Sequence, residues 1–155
     1  MTGTVAGWSS LIHVGIGGAI EVDQMVYGDQ NPSIYLVPGA TKLYFATSLN
    51  NDRDYHRDSG SLVLDQWNDI HVSQRLDKNG NYVWRIIVNN NIIHETINTQ
   101  PIEIQSAKVW LGNPWHPPAV GRVRNLHIVS DDCAAGTKFD GTSCAPTGNN
   151  SIIYM

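Results

Sequence analysis

Residues 68–88, NDIHVSQRLDKNGNYVWRIIV, decide the fold. The first limb, Asn68-Asp69-Ile70-His71-Val72-Ser73-Gln74, and the last, Tyr82-Val83-Trp84-Arg85-Ile86-Ile87-Val88, are rich in β-branched and aromatic residues. Neither carries a sustained i, i+3, i+4 apolar pattern. Between them Leu76-Asp77-Lys78-Asn79-Gly80-Asn81 supplies an Asn-Gly pair, which tolerates the positive φ angles of a tight hairpin. The stretch predicts two strands paired antiparallel.

The same pattern extends in both directions. Downstream, a turn at Asn89-Asn90-Asn91 leads into Ile92 to Thr96, then Ala107 to Leu111 and Arg122 to Val129. Upstream lie Ser10 to Val14, Ile20 to Val26, Ser33 to Val37 and Lys42 to Thr47, separated by Gly17-Gly18 and by the Gly28 to Pro32 turn. Many short strands at regular spacing predict an all-β chain, an antiparallel sandwich or barrel. Beyond residue 130 the alternation stops and Gly, Ser, Thr, Asn and Asp dominate. The organisation expected is one domain over 1–130 and an irregular tail over 131–155. That tail is open to three readings: a linker, the start of a following module, or a strand that docks on a neighbour.

A chain of 155 residues is long enough for one hydrophobic core. Ten Lys and Arg against fourteen Asp and Glu give a net charge of −4. The basic footprint that nucleic acid or anionic lipid demands is missing. No apolar run approaches bilayer length, and MTGTVAGWSS has neither a basic n-region nor an h-region, so the expectation is a soluble chain without membrane insertion. Cys133 and Cys144 fall in a polar stretch where a local disulfide is the natural reading, with a pair of free thiols as the alternative. The sequon at Asn149 is a candidate glycosylation site and, with the cysteines, points to a secreted, extracellular setting.

Trp67-Asn68-Asp69-Ile70-His71-Val72-Ser73-Gln74, the hairpin ending in Ile87-Val88-Asn89-Asn90, and the segment from Val109-Trp110-Leu111 through Asn113-Pro114-Trp115-His116-Pro117-Pro118 to Arg122-Val123-Arg124-Asn125-Leu126 follow one another in order. Together they resemble concanavalin A-like, laminin-G-like jelly-roll domains of large extracellular proteins, over roughly Trp8 to Ile128. The resemblance implies a jelly-roll sandwich. It leaves function open among glycan, protein or calcium binding and a spacer role. Such domains usually begin with an F-x-V-x-F strand ahead of the counterpart of Gly7-Trp8-Ser9-Ser10, where only Met1 to Ala6 stand here. A missing first strand would leave an open sheet edge; a trimmed chain is the other explanation.

Residues 18–29, GAIEVDQMVYGD, nearly spell the glucanase signature E-x-D-x-x-E. Glu21 and Asp23 alternate onto one face as that motif wants. A retaining glucanase needs two carboxyl groups about 5–5.5 Å apart. The sixth position is Val26, which cannot protonate a leaving oxygen, and loss of a general acid forfeits about 10²- to 10⁴-fold in rate. A glycoside hydrolase is therefore disfavoured, and no catalytic residue is assigned. The six histidines are dispersed, with no H-E-x-x-H, nucleophile elbow or P-loop.

Two loops are the expected ligand sites. In Leu49 to Gly60, Asp52, Asp54 and Asp58 offer hard oxygen donors for calcium, the one cofactor considered. Arg53 and Arg57 offer the alternative of internal ion pairs. Tyr55 and His56 in that loop can stack on a sugar or pack on a partner. In Asn113 to Pro118, Trp115 beside His116 can present a flat ring to a ligand or cover the end of the core. Asp29 completes the candidate rim. The function expected is a non-catalytic extracellular recognition or adhesion module for glycan or protein. The alternative is a structural subunit of a filament or matrix, self-assembling through an open edge or the tail.

Overall fold

Alternation becomes strand over most of its length in the computed structural model, which describes residues 4–17, 24–102, 104, 106–113, 115–129, 138–139, 144–145 and 150–154. In chain order the strands are β1 (Ser9–Gly15), β2 (Ser33–Leu36), β3 (Lys42–Leu49), β4 (Asp52–Ser61), β5 (Ile70–Leu76), β6 (Tyr82–Val88), β7 (Asn91–Asn98), β8 (Lys108–Trp110), β9 (His127–Val129), β10 (Lys138–Phe139), β11 (Cys144–Ala145) and β12 (Asn150–Tyr154). Every pairing among them is antiparallel, and the described residues include no α-helix.

The chain divides into two units. The first, residues 1–67 and 100–122, holds a five-stranded sheet in the order β4-β3-β2-β1-β8. Register sorts its side chains, because cross-strand partners share a face. Ile12 stands opposite Ile34 and Ile34 opposite Phe45, while Leu36 faces Leu43. All five are buried, so this is the apolar face. The other face carries two rows: Ser10, Tyr35, Tyr44 and Asp58, then Trp110, His13, Ser33, Ala46 and His56.

The second unit, residues 68–99 and 123–155, holds a sheet in the order β7-β6-β5-β12-β9 and the small ribbon β10-β11. The hairpin expected around Asn79-Gly80 forms with unbroken register from Ile70↔Val88 to Leu76↔Tyr82. Its turn is organised by Asp77, whose Oδ1 accepts the backbone N–H groups of Asn79 and Asn81, each at 2.8 Å. Asn89 and Asn90 take φ of 50° and 64°, the left-handed pair that a two-residue hairpin turn requires. On the buried face Ile70, Val72, Trp84, Ile86 and Val88 alternate with the Arg85–Glu95 ion pair and Ile97 of the exposed face.

Three expectations differ from the structure. The polar stretch Leu49 to Gly60 is not a loop: Asn50 and Asn51, at φ 53° and 67°, turn the chain so that β4 pairs along β3. Of the strand expected over Ile20 to Val26, residues 18–23 lie outside the described residues and 24–26 are not strand. Met25 is buried there in a loop. Arg53 Nη1 donates to its carbonyl at 2.5 Å. The segment 131–155, expected to be irregular, contributes β10, β11 and β12. β12 lies between β5 and β9, where Ile152 stands opposite Ser73 and Val129.

The loop of residues 24–32 sits tightly against the end of β1. Asn31 N–H donates to Val14 O at 2.6 Å and Ile16 N–H to Gly28 O at 3.2 Å. A Cβ on Gly15 would stand 2.0 Å from the carbonyl oxygen of Asp29, so only glycine allows this approach.

Candidate functional site

The non-apolar face of the first sheet gathers aromatic rings from strands distant in sequence. Trp8, just ahead of β1, meets Tyr44 edge-on at 5.1 Å between centroids and Tyr35 at 6.3 Å. Tyr44 stacks on His56 of β4 at 4.6 Å with 23° between planes, and His116 meets Tyr35 edge-on at 5.5 Å. Tyr35 is buried, Tyr44 and His116 are half-buried, and Trp8 and His56 are exposed. The cluster is anchored at Tyr35 and opens over β3 and β4.

A polar chain runs through it. Gln30 Nε2 donates to Asp54 Oδ1 at 2.8 Å, Tyr35 Oη donates to Gln30 Oε1 at 2.9 Å, and Asn113 Nδ2 donates to Tyr35 Oη at 3.0 Å. Asn113 Oδ1 in turn accepts the N–H of Trp115 at 2.9 Å and of His116 at 2.6 Å. Burial pushes the Tyr35 phenol up to about 12, against hydrogen bonds from Ser33 and Asn113. The Tyr44 phenol is raised by burial and then by the carboxylates of Asp54 and Asp58, with smaller effects from Tyr35 and Asp52. The field at this face is thus negative. The arrangement offers ring faces beside exposed carboxylate acceptors, the chemistry that grips a hydroxyl-rich, partly apolar ligand.

The candidates from sequence separate by pleat. Even-numbered residues of β4, His56 and Asp58, share the aromatic face, as the Gln30 bond shows Asp54 does. Tyr55 pairs with Thr47, out of phase with His56, and carries the Arg57 guanidinium 4.5 Å over its ring. The candidate Tyr55 is therefore occupied within β4 and stands apart from the ring cluster. Asp29 is a correction of another kind: it is buried, its Oδ2 accepts Val26 N–H at 2.8 Å, and it closes the 24–32 loop instead of lining a rim. Trp115 is half-buried with its ring edge-on to His13 at 4.8 Å, and its enclosed Nε1 has no hydrogen-bond partner.

The aspartates do not converge. Along a strand at about 3.3 Å per residue, Asp54 and Asp58 stand about 13 Å apart, beyond what one calcium ion with ligands at about 2.3–2.6 Å can bridge. Asp54 N–H donates to Asp52 Oδ1 at 2.9 Å, and Asp54 itself accepts from Gln30. Among the described residues no group of three His, Cys, Asp or Glu has metal-holding geometry. Glu21, Asp23, Cys133 and Asn149 lie outside the described residues, as does any bond between Cys133 and Cys144.

Sequence reasoning missed Trp8, Tyr35, Tyr44 and Gln30, and named Asn113 only as the start of the expected 113–118 loop. The available signal was parity: Tyr35 shares its pleat with Ser33, opposite to Ile34 and Leu36, which marks an aromatic on the non-apolar side of a buried strand. It also missed a buried Ser–His–Asp grouping. His13 Nδ1 and Ser33 Oγ are 2.5 Å apart, and the Asp29 carboxylate acts on the same imidazole. Ser33 and His13 are 0% and 1% exposed, so the grouping is closed to solvent in this structure. Comparison with family models, with curated proteins and with solved structures finds no match for this chain.

Proposed function

We propose that the chain is a non-catalytic recognition module of the concanavalin A-like, laminin-G-like jelly-roll type, and that it binds glycan on the aromatic face of its first sheet. The observation that supports this most directly is the Trp8–Tyr44–His56 ring group flanked by exposed Asp54 and Asp58, on a sheet whose opposite face buries Ile12, Ile34, Leu36, Leu43 and Phe45. Rings match the apolar faces of a pyranose, and carboxylates accept its hydroxyl protons. Two five-stranded antiparallel sheets, each with one buried apolar face, are what a jelly-roll sandwich needs. The extracellular setting is part of the same reading and draws on the resemblance and the Cys133–Cys144 pair.

A glycan array followed by NMR titration tests it. Chemical-shift changes are expected at Trp8, Tyr44 and His56, and Trp8→Ala or Tyr44→Ala should weaken binding about tenfold, the loss of one stacking ring. Arg85→Ala on the second sheet should leave affinity unchanged. Binding that survives both ring deletions, or shifts confined to the second sheet, overturns the assignment of the face. In the filament reading, an open sheet edge or the 131–155 segment would dock on another copy. β12 pairs with β5 and β9 of its own sheet, which weighs against the second route and leaves the first.

A further inference from the structure

The recognition face has a wall. The loop carrying Asn113, Trp115 and His116 returns along β1: Ser10 N–H donates to Pro117 O at 2.9 Å and Ala119 N–H donates to Ser10 O at 2.8 Å. Beneath Trp115 lies His13, 1% exposed, its ring 4.8 Å from the Trp115 centroid and 5.0 Å from that of Trp110. Each element packed on this imidazole presents a definable group. β2 gives the Ser33 hydroxyl, the 24–32 loop gives the Asp29 carboxylate, β8 gives Trp110, and the wall gives Trp115. Lys108, one pleat from Trp110, lays its side chain beside Trp110 at Gly17.

We propose that His13 is an acid-sensitive latch: neutral, it seats the Trp115 indole and holds the wall on β1; protonated, it releases the wall and loosens the recognition face. An imidazolium enclosed by two indoles and a hydroxyl has lost its hydration, and the carboxylate that acts on it among the described residues, Asp29, already accepts the Val26 amide. Releasing the wall rehydrates the ring. Burial holds His13 down to about 4, with Asp29 opposing, against an ordinary value of 6.5. Release is therefore favoured about 30-fold more at pH 5 than at pH 7.5. Through Asn113 and Tyr35 the wall connects to Gln30 and Asp54, so its release disturbs the ring cluster and the acceptors together.

That the latch regulates binding rests on the glycan reading of the face; the latch itself is tested without any ligand, so the two fail separately. Amide exchange is followed by NMR at Ser10, Trp115, His116 and Ala119 at pH 7.5 and pH 5, corrected for intrinsic exchange. The expected result is a loss of protection of about 30-fold at these amides and not at β6, with His13→Gln flattening the response and His127→Gln, on the exposed surface of the second unit, leaving it intact. Wild-type protection that does not change, a full response in H13Q, or a response abolished by H127Q overturns the proposal. Should H13Q not fold, the imidazole resonances of the wild type decide: His13 neutral at pH 5 in the seated state is expected, and protonation at or above pH 6.5 with the wall still protected overturns it.

Discussion

His13 has its Nδ1 on the Ser33 hydroxyl and its ring between two tryptophans, a setting that solvates a neutral imidazole and not a charged one. With the wall seated, the folded chain keeps it neutral down to about pH 4, whereas the unfolded chain protonates it near 6.5. The unfolded state thus binds the extra proton, and stability contributed by this group is fully present above pH 6.5 and lost as pH falls from 6.5 to about 4. The loss amounts to about 3 kcal/mol when complete. Urea midpoints at pH 7.5, 5 and 4 measure it, and H13Q is expected to show a shallower decline than the wild type over that window. Equal slopes for the two proteins would mean that other groups carry the acid sensitivity.

β4 shows how one strand carries two surfaces. Its composition, Asp52-Arg53-Asp54-Tyr55-His56-Arg57-Asp58, is that of a loop, yet as an edge strand its charges discourage a further strand from adding, and the pleat separates acids from cations. Arg53 turns to Met25 O and Arg57 to Tyr55, so neither guanidinium neutralises the aromatic face. The strand also spreads its carboxylates along its length. Thermal melting with calcium and with chelator is expected to give the same midpoint, because Asp54 and Asp58 lie too far apart along β4 to share one ion and Asp54 is engaged by Gln30. A midpoint that rises with calcium would require a different donor set.

At the scale of the molecule, the sandwich reading has a thermodynamic consequence. A sandwich layer must bury its inner face cooperatively: β2 and β3 share the face of Ile34 and Phe45 in the first unit, and β5 and β6 share that of Val72 and Ile86 in the second. Hydrogen exchange in rising urea is expected to strip the paired strands within each sheet with one free energy and one slope. Paired strands of one sheet that open separately would show that its buried face is not a cooperative layer.

Alternating β-branched and aromatic residues, the Asn-Gly and Asn-Asn turns and the absence of helical periodicity were enough to predict an antiparallel all-β chain and its central hairpin, because period-two burial is a local property of the backbone. The face carrying His56 and His116 was legible only as isolated polar positions. Tyr35 and Tyr44 looked like ordinary strand residues, Asp29 like a rim acid, and β4 like a loop. Which side of a strand is covered, which loop folds back over it, and which carboxylate ends up buried depend on register and on contacts such as Gln30 with Asp54, 24 residues apart. Local chemistry determined the strands; long-range packing decided which of their faces can meet a ligand.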